Sequence, residues 1–291
     1  MINEMSLWCI VMAGRENIPP AADPARINNG GRAGVAAQDP LAAAVRRARG
    51  LSTPETLGAV VTDQELLREG PVLDLARENI FVEPQHRGTA YEVMFVLLNL
   101  SMRVSPETPM IFLPSDHVVR EEEVVTRSLL SMIEWMRKDP LTVYLLGAAP
   151  EGPHNQLGYI VPWYDSMQVP AGVYEFVEEP DMRQARKLIG AGGLWNTFIF
   201  GGTLSALLGL FSPRFDQAMD LVRQAIAEAG SGVGGARSIA AIYQQLTPAD
   251  LSRDVLTPQT QRLNVLRMPR CGWWPLKPPK IASNIERFRR P

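Results

Sequence analysis

Met110-Ile111-Phe112-Leu113-Pro114-Ser115-Asp116-His117 is an apolar run that stops at a proline and then delivers a carboxylate and an imidazole. Apolar residues without a polar break read as a strand buried on both faces, the kind found in parallel sheets covered by helices. The same grammar repeats on either side. Leu7 to Met12 (LWCIVM) runs into a turn at Ala13-Gly14, and Thr56 to Val61, Asn79 to Val82 and Thr142 to Leu146 are further short buried strands. Helical patterns lie between them. Asp39-Pro40 opens one, with Asp39 as N-cap and Pro40 at the first helical position. Thr89 to Val104 places Val93, Val96, Leu97 and Leu100 on one repeat, and Glu121 to Lys138 begins with acids and ends with bases, as the helix dipole favours. Strand and helix alternate, which predicts a doubly wound, mostly parallel α/β sheet. Ligands of such sheets bind beyond the carboxyl ends of the strands, here Ala13 to Arg15, Glu83 to Ala90 and Pro114 to His117.

The second half has a different texture. Gly158 to Pro162 and Val173 to Val177 read as strands of a smaller mixed sheet, followed by a helix capped by Asp181, an apolar stretch Leu194 to Phe200, and an amphipathic helix Pro213 to Ala229. The expected division is therefore 1–150 as the main α/β part and 151–291 as a smaller lobe of the same domain. Arg15 to Gln38, rich in Pro, Gly, Asn and Ala, reads as a loop, and Ser231 to Gly235 is a glycine-rich break without the GKS or GKT of a phosphate loop.

Composition excludes several classes. With 291 residues and 46% hydrophobic content the chain can bury a sizeable core. A net charge of -2, from 29 basic and 31 acidic residues, argues against a nucleic-acid or membrane surface built on bulk charge. No apolar run is long enough to span a bilayer, and the N-terminus lacks the pattern of a signal peptide. Two cysteines, Cys9 and Cys271, make no disulfide framework and suit a reducing cytoplasm, the expected location. His86, His117 and His154 show no zinc-ligand spacing.

Several segments, taken in order, resemble the mannose-1-phosphate guanylyltransferase family of sugar-phosphate nucleotidyltransferases. They are Glu83 to Ala90 (EPQHRGTA), Leu113 to His117 (LPSDH), Leu157 to Ile160 (LGYI), Phe176 to Asp181 (FVEEPD) and Gly193 to Phe198 (GLWNTF). The resemblance implies a Rossmann-like nucleotidyltransferase fold with a sugar-side lobe. It also implies transfer of a nucleotidyl group from a nucleoside triphosphate, GTP by likeness, to a mannose-type sugar 1-phosphate, with Mg²⁺. Asp116 would hold the metal, and Arg15 would meet phosphate. Ala13, Gly14, Pro84, Gly88, Thr89 and Ala90 would line the nucleotide, and Gly158, Tyr159, Glu178 and Asn196 the sugar. Glycines near phosphates let backbone N–H groups approach, and magnesium prefers carboxylate and phosphate oxygens.

The chain also departs from that pattern, always toward less affinity for phosphate or metal. The family's first loop reads like GGxGTR, whereas Ala13-Gly14-Arg15-Glu16 keeps one glycine and adds an acid. No lysine lies between Arg15 and Asp39, and Glu179 stands where the family has a lysine. Gly272-Trp273-Trp274-Pro275 stands where the family's GW(S/T)D supplies the second metal carboxylate. Arg26, Arg32 and Asp254 are the candidate replacements. Two readings stay open at this level: a nucleotidyltransferase, or a non-catalytic homologue that binds nucleotide or nucleotide sugar or serves a protein partner, with homo-oligomerisation undecided. A transferase for a less charged substrate would also tolerate Glu179. Thr89 reads equally as a helix cap and Asn196 as a satisfied core amide, while Trp273-Trp274-Pro275 reads as core or lid packing ahead of a partner-binding patch.

Overall fold

The computed structural model describes residues 6–13, 39–62, 73–164, 169–229 and 234–276. Gly14, Arg15, Arg26 and Arg32 lie outside these residues.

The N-terminal half follows the alternation in the sequence. Strand β1 (Trp8–Met12), helix α1 (Pro40–Arg49), β2 (Leu57–Thr62), β3 (Ile80–Glu83), α2 (Thr89–Ser101), β4 (Pro109–Pro114), the short β5 (His117–Val118), α3 (Glu122–Lys138) and β6 (Val143–Ala148) come in that order. Strands β1, β2, β3 and β4 are mutually parallel. Within each apolar run the residues still alternate between faces. Trp8, Ile10 and Met12 belong to the core beneath α2, while Cys9, Val11 and Ala13 belong to the core beneath α1 and α3. Asp39 caps α1 by accepting from Leu41 N–H at 3.0 Å, with Pro40 at the first position, as its sequence predicts.

The C-terminal half contributes β7 (Tyr159–Pro162), β8 (Ala171–Val177), α4 (Met182–Gly190), β9 (Leu194–Thr203), α5 (Leu204–Gly209), α6 (Asp216–Ala229), α7 (Gly234–Gln245), a π-turn over Leu251–Leu256, β10 (Leu263–Met268) and β11 (Trp274–Pro275). Here the smaller separate sheet expected from the sequence is not what forms. All the strands except β5 and β11 join one nine-stranded sheet in the order β3-β2-β1-β4-β9-β6-β10-β8-β7. The reason is β9. Its ten residues run antiparallel between β4 and β6 and still reach β7, where Trp195 and Leu194 pair with Tyr159 and Ile160. A bulge lets it do so: register with β6 shifts between Leu146 and Gly147, which skips Thr197 and Phe198. The predicted helices are present but shorter, α2 ending at Ser101 and α6 beginning at Asp216.

At the centre, Phe112 of β4 and Phe200 of β9 stack with centroids 4.8 Å apart and planes 7° from parallel, both essentially unexposed. Truncation there leaves a cavity that rigid strands cannot close. Phe200→Ala is expected to cost about 3–5 kcal/mol in chemical denaturation, with an unchanged denaturant slope.

Candidate functional site

The site is built where β1 and β4 end together. Ser115 Oγ donates to the Met12 carbonyl at 2.8 Å in a buried contact, which ties the turn after β4 to the end of β1. Asp116 follows with 38% of its side chain exposed, and the adjacent His117 is buried. The segment 271–276 lies along this turn. Trp274 pairs with Val118 and Pro275 with His117, and Leu276 N–H donates to the Asp116 carbonyl at 2.7 Å. The Cys271 carbonyl accepts from Arg120 and Glu121 N–H at 3.1 and 3.0 Å. The fold thus brings together Leu113 to His117 and Gly272 to Pro275, segments more than a hundred positions apart in the chain.

The side chains that the segment 271–276 brings to the His117 and Trp195 rings are aromatic. Trp273 lies 5.8 Å from the His117 ring and 6.1 Å from Trp195, and Trp274 lies 5.6 Å from His154 and 6.1 Å from Trp195. Burial holds the His117 imidazole below its ordinary pKa, against the opposing pull of Asp116. No group of three or more metal-ligating side chains occurs among the described residues. A magnesium ion is commonly held by one or two carboxylates plus phosphate oxygens. Among the described residues Asp116, with Pro275 paired to the adjacent His117, therefore fits an ion carried in on a phosphate ligand better than one held by a protein carboxylate pair.

The turn 83–90 is crowded by the chain's own C-terminal half. Gly88 has φ +96°, and a Cβ there would lie 2.1 Å from the Ala249 carbonyl oxygen, so only glycine is accommodated. Ala90 N–H donates to Ala249 O at 3.2 Å, Ala249 N–H to Arg87 O at 3.0 Å, and Leu251 N–H to Thr89 Oγ1 at 2.9 Å. Arg87 donates to the Tyr243 and Gln244 carbonyls at the end of α7, at 2.8 and 3.1 Å, as suits a cation at a helix C-terminus. Glu83 and Tyr243 are buried side by side, and burial together with the Glu83 charge drives the Tyr243 phenol well above its usual pKa. The Thr89 hydroxyl thus closes this packing, with Pro84 and Gly88 beside it. Ala13 is buried, with its N–H on Val60 O at 3.0 Å.

Around β7, Gly158 allows the Glu178 carboxylate to lie over the backbone, since a Cβ would stand 2.6 Å from both of its oxygens. The Tyr159 hydroxyl is saturated: it accepts from His154 N–H at 2.9 Å and Trp195 Nε1–H at 3.1 Å and donates to His154 O at 3.1 Å. Asn196 accepts from Phe198 N–H at 3.0 Å through Oδ1 and donates to Ser252 Oγ at 3.1 Å through Nδ2. Its amide closes the β9 bulge. Asp254, a candidate replacement ligand, has its carboxylate on Arg214 and Arg253 at 3.0 and 2.8 Å and on Asp250 N–H at 2.8 Å. A groove of about 580 Å³ between β8 and α4, lined by Tyr174, Glu175, Arg183 and Lys187 among others, includes Asp181 but none of Asp116, Gly158, Tyr159, Glu178 and Asn196.

Two residues escaped the reading of the sequence. Arg47 of α1 pairs with Glu122 and reaches His117, and Arg87 caps α7. Both partnerships are set by tertiary contacts across 70 or more positions, and no local pattern announces them.

A wound α/β sheet with an antiparallel strand between β4 and β6, carrying Asp116 at its carboxyl edge, places the protein in the nucleotidyltransferase fold class. Solved structures with this fold include one described as mannose-1-phosphate geranyltransferase from Thermus thermophilus (TM-score 0.72, 22% identity, covering 93% of this chain and 76% of that one). Another is described as mannose-6-phosphate isomerase from Helicobacter pylori (TM-score 0.65, 14% identity, 92% and 99%). No family model matches the chain. In sequence it is 32% identical over 133 residues to alginate biosynthesis protein AlgA of Pseudomonas syringae pv. tomato, covering 44% of this chain and 26% of that protein. It is 30% identical over 118 residues to mannose-1-phosphate guanylyltransferase of Escherichia coli, covering 38% and 25%. Over these stretches the chain is similar to mannose-1-phosphate guanylyltransferase-like proteins, and it spans about a quarter of the length of these curated relatives. No helix among the described residues is long and apolar enough to cross a membrane.

Two outcomes test this geometry. Gly88→Ala combines a positive φ with a backbone clash, and is expected to lower stability by at least about 2 kcal/mol in a urea melt. The Asp254 carboxyl is held below its ordinary pKa, first by the Arg253 hydrogen bond and further by Asp250 N–H. A depressed carboxyl stabilises the fold above its unfolded pKa of about 3.9 and loses that contribution as pH falls through the folded value. The melting-temperature gap between wild type and Asp254→Asn should therefore be widest near neutrality and narrow on acidification below about pH 4.

Proposed function

We propose that the chain is a sugar-1-phosphate nucleotidyltransferase-like protein that joins a nucleoside triphosphate, GTP first among candidates, to a mannose-type hexose 1-phosphate with release of pyrophosphate. The observation that carries this reading is Asp116, presented with a partly exposed carboxylate at the carboxyl end of β4 beside the end of β1. In that reaction a phosphate oxygen of the sugar 1-phosphate attacks the α-phosphorus, and the bond to the bridging oxygen breaks as pyrophosphate departs. Little covalent chemistry falls to the protein, so its work is alignment and charge neutralisation. Asp116 would anchor Mg²⁺ arriving with the triphosphate, and the ion would neutralise charge on the phosphates. Ala13, Gly14 and Arg15 are assigned to the phosphates, the turn Pro84 to Ala90 to the base, and Gly158, Tyr159, Glu178 and Asn196 to the wall of the sugar pocket. Because Thr89, Tyr159 and Asn196 already serve internal hydrogen bonds, they would shape the pocket more than they grip a ligand.

A second reading is favoured by Pro275 opposite His117 and by Glu179 in place of a lysine: a non-catalytic homologue that binds nucleotide or nucleotide sugar, or serves as a scaffold, in the cytoplasm. One assay separates the two. Pyrophosphate release is measured with Mg²⁺, the four nucleoside triphosphates and a panel of sugar 1-phosphates, beside calorimetric titration of GTP and GDP-mannose. Turnover with GTP and mannose 1-phosphate is the expected result. Binding without turnover supports the second reading, and absence of both would abandon the nucleotide site altogether. Restoring the missing carboxylate with Pro275→Asp is expected to raise Mg²⁺-dependent turnover by at least about tenfold, within the roughly 2.7–4 kcal/mol that one transition-state charge contact supplies.

A further inference from the structure

The residue after Asp116 has an anchor of its own, far away in sequence. Arg47 is buried in α1, and its Nε and Nη2 donate to the two carboxylate oxygens of Glu122 at 2.7 and 2.8 Å. This bidentate grip fixes the guanidinium plane and leaves Nη1 3.1 Å from His117 Nε2. A guanidinium has donors and no acceptor. The contact is therefore a hydrogen bond only if Nε2 offers its lone pair, which makes the imidazole neutral and puts its proton on Nδ1. Nδ1 is buried without a hydrogen-bond partner in range, and Asp116 Oδ1 stands 3.9 Å from it. A buried N–H is favoured to find an acceptor, and the partly exposed Asp116 carboxylate is the acceptor that the chain places beside it.

We infer that His117 is a positioning residue: Arg47 and Glu122 lock it as a neutral Nδ1–H donor that orients the Asp116 carboxylate when Asp116 takes up its ligand. One carboxylate oxygen is then held by the imidazole and the other is directed into the site. The inference rests on the reading of Asp116 as the ligand-facing carboxylate. It does not depend on turnover, because the tautomer is a property of the chain without ligand. A hydrogen bond to the oxygen turned away from the ligand commonly fixes the direction of a ligating carboxylate.

The experiment uses the full chain. Imidazole nitrogen resonances of wild-type protein report the tautomer directly, and a protonated Nδ1 with an unprotonated Nε2 is expected. An Nε2–H tautomer or a doubly protonated ring near neutral pH overturns the inference. Two substitutions then separate orientation of Asp116 from structural support. His117→Asn keeps an amide N–H near the Nδ1 position, whereas His117→Gln reaches the Nε2 position and keeps the link to Arg47. Calorimetry with magnesium–GTP should show His117→Asn near wild type and His117→Gln weaker by about tenfold or more, as loss of one hydrogen bond to a charged group implies. The reverse order would assign His117 to support of α1 alone and overturn the inference. Should neither variant fold, Arg47→Met decides: with its donor gone, the Nε2–H tautomer of His117 should appear, and a ring that stays wholly Nδ1–H overturns the role given to Arg47. If wild type binds no magnesium–GTP, the proposed function fails while the tautomer still decides this inference.

Discussion

Asn196 closes the bulge in β9 with its own amide, accepting from Phe198 N–H and donating to Ser252, and the sheet on both sides depends on that closure. A ten-residue strand between two parallel neighbours must satisfy β4 along one edge and β6 along the other. Beyond the two skipped residues, Trp195 pairs with Ala148 of β6 on one side and Tyr159 of β7 on the other. Phe198 takes φ +56° to allow the step, a conformation that costs on the order of 1 kcal/mol or more for a bulky residue. Thr197 helps to offset this by donating to the Leu146 carbonyl and accepting from Ile199 N–H. Strands β7 and β8 are therefore an extension of the sheet formed by β1 to β4, and the two sides of the proposed site share one frame.

That frame brings the right segments together and arms them unusually. Asp116 arrives at the carboxyl end of β4, and the ribbon 271–276 arrives beside it. The ribbon carries two tryptophans and a proline. Aromatic side chains exclude water and strengthen whatever electrostatic interaction remains in the site. They do not supply the second negative charge that would hold a divalent ion in the absence of phosphate. Pro275 and Glu179 stand where the family that the chain resembles carries an aspartate and a lysine.

Much of this was legible before any coordinates. The unbroken apolar runs pointed to parallel strands, because a strand covered on both faces has no polar side to display. Asp39-Pro40 and Asp181 marked helix starts because a side-chain oxygen before the first turn is the local solution to unpaired N–H groups. The order of the short motifs disclosed the fold class. The joining of β7 and β8 into the main sheet was not legible, since strand pairing partners are non-local and the bulge at Thr197-Phe198 has no period to read. Thr89 and Asn196 read equally as ligand contacts or internal bonds, and only their partners Leu251 and Ser252 show the internal use.

Local pattern was enough to establish which residues could be strands, where helices begin, where the chain departs from the motifs it resembles, and which proteins it resembles. These properties are carried by spacing and residue type. Folding had to settle that Arg47 faces His117, that Arg87 caps α7, that Gly88 is pressed against Ala249, and that Pro275 lies opposite His117. Each of those contacts joins positions far apart in the chain. Its energy exists only once the sheet has brought them within a few ångströms, so no stretch of sequence read alone contains it.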